Sequence, residues 1–377
     1  MLSEAPARQV LVVGGGLAGL AAALAMARRG LQAQVIEQLA QWQPSGAGLT
    51  LGAASLRALQ QLGVLDEVVR RGHVHQGIQV CDVQGRPLRL ITSPPLPDAQ
   101  VPGAGGILRS VLHDILRSAL ASCGVAVRLG LRVQQLDLQD HAAQVQLSDG
   151  SQQCVDLVVG AEGLTSALRQ EFFAQAAPPR FTGQGCWRVV LPRPAEIDNR
   201  HFFLGGRCKL GLTPVSAQQM YLFLLEHVPD RPWRDAATQH EVLRDLLQGY
   251  GGPLAQVREQ LGPQSEVVYR PLEAHYLGPS WHRGRLLLIG DAAHATTPQL
   301  AAGAGMGLED GLVLAQELGR AQPLPQALQA FMARRHQRCQ MVVHNSLRIG
   351  ELEVQGASPQ EQTAVVDASL RQLAQPI

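Results

Sequence analysis

Apolar and polar positions along the chain follow two periods, and the switch between them divides it. From Gln9 the pattern reads as an apolar strand to Val13, a glycine turn, an Ala- and Leu-rich helix from Leu17 to Arg29 stopped by Gly30, and a second strand from Ala33 to Glu37. That is a βαβ unit. A helical pattern follows near Leu56 to Arg71, then a strand pair from Ile78 to Leu90, and a Pro/Gly-rich segment, Ser93 to Gly106, that reads as a mobile loop. The spacing next predicts a helix over Ser110 to Ser122 and a strand over Val125 to Arg128. Strands Ala143 to Leu147 and Cys154 to Val159 are joined by the turn Ser148-Asp149-Gly150. Beyond residue 181 the period is two: Gly183 to Leu191, His201 to Leu204, Lys209 to Pro214 and Met220 to Glu226 read as antiparallel strands without intervening helices. Arg285 to Ile289 is a further buried strand, and helical patterns near Leu308 to Leu318 and Leu324 to Ile349 close the chain.

These elements predict an α/β fold. A Rossmann-like nucleotide domain would be assembled from residues 1–75, 100–180 and 270–350. Interleaved with it is a smaller, mainly antiparallel β-sheet domain of residues 76–99 and 181–269, and 351–377 forms a C-terminal tail or helix. Residues 10–27 carry no charge over eighteen positions, the length of a membrane span, yet Gly14-Gly15-Gly16 suits a turn and would break a spanning helix. No membrane segment is expected. With 32 basic and 31 acidic residues the net charge is +1, so there is no clustered cationic footprint for nucleic acid. The six cysteines form no CxxC pair, which argues against a disulfide framework or zinc site and for a cytoplasmic home. The twelve histidines show no HExxH spacing, so no metal is expected.

The chemistry begins at Gly14-x-Gly16-x-x-Gly19, between strand and helix, with Glu37 ending the next strand. The first glycine allows the tight turn, the second lets a pyrophosphate approach the backbone, the third allows helix and strand to pack closely, and the helix N-terminus faces the anion. Gly14, Gly15, Gly16, Ala18 and Gly19 are therefore candidate cofactor contacts, and Glu37 a ribose acceptor. A carboxylate there would repel a 2′-phosphate, leaving FAD or NAD rather than NADP.

A second apolar strand, Leu286 to Ile289, ends in Gly290-Asp291-Ala292-Ala293-His294. Here the chain resembles the flavoprotein aromatic hydroxylases, the family of p-hydroxybenzoate and salicylate hydroxylases. The likeness covers nearly the whole length and includes Gly46-Ala47-Gly48-Leu49, Arg109 with Leu112 and Leu116, Asp156 to Gly163, and Gly303 to Asp310. The resemblance implies FAD in a GR2-type domain, with Gly290 and Asp291 on the ribityl chain. It adds Arg109, Gly48 and Val133 as further cofactor contacts, Pro298 beside the flavin's reactive edge, and Gly303, Ala304 and Gly305 beneath the pyrimidine ring. Glycines just before a helix also offer free N–H groups that would stabilise negative charge on a reduced flavin. Three departures stand out: Glu162 replaces the usual Asp, Ala301-Ala302 the usual Gly-Gln, and Ala53-Ala54 the usual Pro-Asn. Altered loop geometry is expected rather than loss of flavin. His294 is expected to be structural, and Arg334, Arg335 and Arg338 to form a solvated or salt-bridged helical face.

The resemblance further implies that NADH or NADPH, binding transiently, reduces FAD. O2 then forms a flavin C4a-hydroperoxide that hydroxylates an electron-rich aromatic or heteroaromatic small molecule. Trp187, Arg188, Phe203, Tyr221 and Phe223 in the sheet region are the candidate substrate-binding residues. Tyr221, Pro298 and Lys209, the only lysine in the chain, are the candidate catalytic ones. A monomer or homodimer is expected. Three rival readings remain: halogenation, a flavin-dependent reductase or dehydrogenase of a prenyl or alcohol substrate, and a non-catalytic flavin-binding protein.

Overall fold

The computed structural model describes residues 8–43, 47–96, 101–320 and 322–377. Its first sheet has six strands in the order His282–Arg283, Leu286–Leu288, Leu157–Gly160, Gln9–Val13, Gln32–Glu37 and Val127–Leu129. All are parallel except the two-residue edge strand. Val10 to Val13, Leu157 to Val159 and Leu286 to Leu288 are buried, as continuous apolar strands in a sheet covered on both sides should be. The register sets Val13 beside Gly160 and Gly160 beside Leu288, so three loops leave the same C-terminal edge together. The helices Leu17–Ala27 and Gly303–Leu318 pack on one another closely enough that a Cβ at Gly311 would stand 2.6 Å from the Ala22 nitrogen.

The second sheet has seven strands: Val268–Ala274, Arg180–Pro192, Gln219–His227, Lys209–Pro214, Arg200–Phe203, Gly77–Cys81 and Pro87–Thr92. Every pair is antiparallel except Arg200–Phe203 with Gly77–Cys81. One face is covered by the short helices Gln239–Leu246 and Pro253–Gln260, which the sequence pattern did not announce. Between the two large sheets lies a third of three strands, Gly48–Gly52, Ala104–Leu108 and His73–His75.

Two expectations are corrected. The loop expected over Ser93 to Gly106 ends in the strand that starts at Ala104, while residues 97–100 of it lie outside the described residues. The single helix expected near Leu56 to Arg71 is two, Ala53–Gln61 and Leu65–Arg71, divided at Gly63, whose φ of 64° is left-handed. The chain closes with helices Leu324–Val354 and Pro359–Ala374, the latter started by a capping box between Ser358 and Glu361. Among the described residues no helix is long and apolar enough to cross a membrane.

Candidate active site

The glycines of the first turn divide by what surrounds them. Gly14 has φ 111° and lies so close to the next loop that a Cβ would stand 2.4 Å from the Ala161 oxygen. At Gly19 a Cβ would stand 2.0 Å from the Gly14 oxygen, which is the close helix–strand packing expected of the third glycine. Gly16, at the helix N-cap, has nothing within 4 Å where its side chain would project. This open side, above uncapped helix N–H groups, fits a pyrophosphate. Glu37 accepts from the backbone N–H of Gly15 at 2.8 Å and of Leu39 at 3.0 Å, and a carboxylate retains lone pairs for a ribose hydroxyl. Sequence reasoning missed two neighbours here. The Trp42 ring packs over Gly15, and His113 Nε2 lies 2.9 Å from the Gly15 oxygen, its ring edge-on to Trp42 at 4.8 Å. Val133 opens its strand just after Leu131, whose N–H donates to the Glu37 oxygen. Arg109 starts the helix Arg109–Ser122 with an exposed side chain.

Asp291 stands two strands away on the same sheet edge, exposed and without a hydrogen-bond partner among the described residues. Ala18 links the two motifs, because its Cβ fills the space beside both Gly290 and Gly307. The turn itself is held from beneath. The buried Asp310 carboxylate accepts from the Gly290 N–H at 2.9 Å, from His294 at 2.6 Å and from Arg335 Nε at 2.8 Å. Burial pushes Asp310 upward, but His294 and Arg335 outweigh it and hold the carboxyl at about 2. Burial works against the His294 proton, yet the Cys339 sulfur and Asp310 raise its pKa well above the ordinary value. His294, Asp310 and Cys339 cluster closely enough for a metal, but Arg335 already donates to both Asp310 and Cys339. Arg335 is fully buried and, with Arg338, also pairs with Glu309, so this helical face is salt-bridged inside the protein.

Two of the three departures from the family pattern, Glu162 and Ala301, have a distinct local geometry. Glu162 accepts from Ser166 Oγ at 2.6 Å and from the Leu168 N–H at 3.1 Å, so the longer carboxylate caps the helix Ala167–Phe172. Ala301, where the family commonly has Gly, adopts φ 51° and is the only described non-glycine residue with positive φ. The turn Pro298–Leu300 before it and the Gly303–Gly305 start of the next helix follow closely on the short helix Asp291–His294.

Register assigns each sheet residue to a face. Arg188, Phe223, Gly211 and Phe202 lie in one row, and Val190, Tyr221 and Thr213 in the next, on the face toward the small sheet. Arg200, two residues before Phe202, shares that face, its guanidinium 5.1 Å from the Phe223 ring centre. Trp187 and Phe203 face the other way, into the core under the two short helices, with Trp187 against Tyr269 at 4.6 Å. They are corrected from substrate contacts to packing residues. Lys209 is corrected too. Its ammonium is engaged by the Glu353 carboxylate rather than held free for a substrate or cofactor.

The small sheet answers this face with glycines and polar side chains. The Tyr221 ring covers Gly48, where a Cβ would stand 2.1 Å away, and its hydroxyl shares a 2.8 Å hydrogen bond with Thr50. Pairing of Thr50 and His73 with Gly106 puts His75 on the same side. The His75 ring is buried, with neither nitrogen in a well-formed hydrogen bond among the described residues although the Gly77 backbone lies within reach. Burial above all, then His73 and Arg200, push its pKa down to about 4, so it is neutral at physiological pH. Arg200 Nε is enclosed without an acceptor, and no carboxylate pairs with this arginine among the described residues. Neither Arg200 nor His75 was singled out from sequence. An isolated cationic residue in a strand carries no signal until the register shows that nothing opposes it.

Comparison with known proteins finds relatives over nearly the whole chain. A family model described as FAD binding domain matches residues 7–346. The chain is 33% identical over 348 residues to the 2-heptyl-3-hydroxy-4(1H)-quinolone synthase of Pseudomonas aeruginosa, covering 91% of this chain and 89% of that one. It is 30% identical to the salicylate hydroxylase of Pseudomonas putida, covering 90% and 85%. The crystal structure of Klebsiella pneumoniae HpxO complexed with FAD and uric acid superposes with a TM-score of 0.84 over 97% of this chain and 92% of that one, at 23% identity.

Proposed function

Because the chain belongs to the FAD-binding-domain family of flavoprotein aromatic monooxygenases, we propose that it hydroxylates a heteroaromatic small molecule carrying an acidic ring oxygen or carboxylate, using O2 and NADH or NADPH. The observation that carries this reading is the guanidinium of Arg200, which lies without a counter-ion among the described residues on the sheet face opposite Thr50 and His75. A buried cation without a partner is costly, and an anionic ligand oxygen would complete it. The hydroxyls of Thr50 and Tyr221 and the neutral His75 ring offer further donors and acceptors nearby, while Phe223 and Val190 supply apolar wall.

The residues present fit FAD. Gly14 to Gly19 and Glu37 would hold the ADP end, Asp291 the ribityl chain, and the N-terminus of Gly303–Leu318 the ring's anionic edge. Bound FAD supplies the electron transfer and oxygen activation that no side chain can. The protein's own contributions are to orient the ring over Phe223, to hold its oxygen as the anion against Arg200, and to exclude water with the closely packed glycine strands. An ionised oxygen makes the ring electron-rich, which is what electrophilic oxygen transfer needs.

The test is NAD(P)H oxidation by the FAD-loaded protein with 4-hydroxyquinolines, salicylate, hydroxypyridines and purines, with product analysed after reaction under ¹⁸O2. One class should accelerate oxidation and carry the label. Absence of oxygenated product with every ring, with the reducing equivalents recovered as hydrogen peroxide, would favour the reductase reading instead.

A further inference from the structure

Three side chains from three separate elements meet at the carboxylate of Glu353, near the end of the long helix. Its Oε1 engages Lys209 from the sheet, while its Oε2 accepts from Gln184 at 3.1 Å and from Gln299 at 3.3 Å. The Gln299 amide also donates to Gln184 Oε1 at 2.8 Å, so two acceptors fix which end of that amide faces the cluster. Gln299 is the middle residue of the Pro298–Leu300 turn, between the Asp291 anchor and the helix start at Gly303.

That turn is locally unfavourable. Thr297 Oγ1 and Gln299 Oε1 are buried without partners among the described residues, and Ala301 is left-handed. Strain of this kind persists only where the surroundings over-determine the conformation, and the Glu353 cluster is a polar contact on the turn beside the burial of Leu300 in the core. We propose that Glu353 is a positioning residue: by accepting from Gln299 it sets the Pro298 turn, and through Gln184 it ties that turn to the substrate sheet. The inference rests on the functional reading only in where the turn acts.

The test uses the full chain loaded with FAD and compares Glu353→Ala, Lys209→Met and the double variant Glu353→Gln, Lys209→Met, which keeps an acceptor for Gln299 without the ion pair. The visible spectrum and circular dichroism of bound FAD are read first. Hydrogen peroxide released per NADH consumed, with 4-hydroxyquinoline as the probe, is read second. Glu353→Ala should alter the flavin bands and raise uncoupling about tenfold, the scale on which small misplacements act, with FAD affinity little changed. The double variant should restore both readouts. A wild-type flavin spectrum in Glu353→Ala would overturn the proposal. So would a disturbance that the double variant fails to rescue, because the effect would then belong to the lost charge pair. If Glu353→Ala does not fold, Lys209→Met alone decides: unaltered bands support the role of the acceptor, and altered bands overturn it. Should the wild-type protein oxidise NADH with no aromatic, the functional reading falls while the spectral comparison still judges Glu353.

Discussion

The nucleotide end of the molecule and the seam between its sheets solve opposite problems. At the nucleotide end almost every group is already engaged: Gly14 and Gly19 are packed to contact, Glu37 is hydrogen-bonded, and Asp310 satisfies three donors under the Gly290 turn. Gly16, Asp291 and the exposed Arg109 are left open among the described residues. In the seam Arg200 has no counter-ion and His75 no well-formed hydrogen bond among the described residues, and both are set among glycines that bring two sheets together. A shared cofactor can be met by a rigid cradle, whereas substrate recognition needs polar groups that the protein alone does not satisfy.

The sharpest way to break this contrast is within one turn. Gly19→Val should yield no folded protein, since its side chain would enter the Gly14 carbonyl. Gly16→Val should melt as the wild-type apoprotein does yet fail to retain FAD. FAD retained by Gly16→Val would show that the open side is not a binding cradle, and a normally folded Gly19→Val would show that the packing contrast is absent.

The Asp310 cluster should give the next largest effect. Removing one partner of a buried charge network costs about 3–5 kcal/mol, so Asp310→Ala should lower the urea midpoint strongly even without FAD. The pH dependence has a defined sign. Asp310 is held at about 2, below its ordinary 3.8, so its contribution is present above the ordinary value and is lost as pH falls toward 2. His294 is raised, so its contribution is complete below 6.5 and disappears only as alkaline pH overtakes the raised value. A urea midpoint that stays level between pH 4 and pH 2 would count against the assignment of Asp310.

In the seam, Arg200→Met should weaken binding of an anionic substrate by about 1.5–3 kcal/mol, the worth of a charged hydrogen bond, as a higher KM with FAD content unchanged. The same substitution should not lower thermal stability, because it removes an unpaired cation. Asp291→Ala should do the reverse, weakening FAD by a similar amount and leaving substrate KM alone. Loss of stability in Arg200→Met would mean that the arginine has a protein partner and the seam is no different from the nucleotide end.

How much of this was legible in the sequence follows from the kind of pattern each part leaves. Gly14-x-Gly16-x-x-Gly19, Glu37 and Gly290-Asp291 are local motifs next to apolar strands, and the strands could be read with them. The small sheet was missed because Gly48 to Gly52 and Ala104 to Leu108 are glycine-rich and short, with too few apolar positions for a period. Trp187 and Phe203 were placed on the substrate face because composition alone does not tell the two faces of a strand apart, and a single residue of register exchanges them. Lys209 looked free because Glu353, its partner, is 144 residues away in sequence.

The smallest expected effect tests whether the turn between the two regions is strained. Ala301 holds φ 51°, a conformation that costs an L-residue roughly 1–2 kcal/mol relative to glycine. Ala301→Gly relieves this but gives the unfolded chain more freedom, which offsets about 0.4–1 kcal/mol. The net gain in unfolding free energy should therefore be about 1 kcal/mol or less, visible as a small rise in the urea midpoint at unchanged slope. If Ala301→Gly is destabilising instead, the alanine methyl makes packing contacts that outweigh its backbone conformation. The turn would then be shaped by its own side chains rather than held by Glu353 from across the sheet.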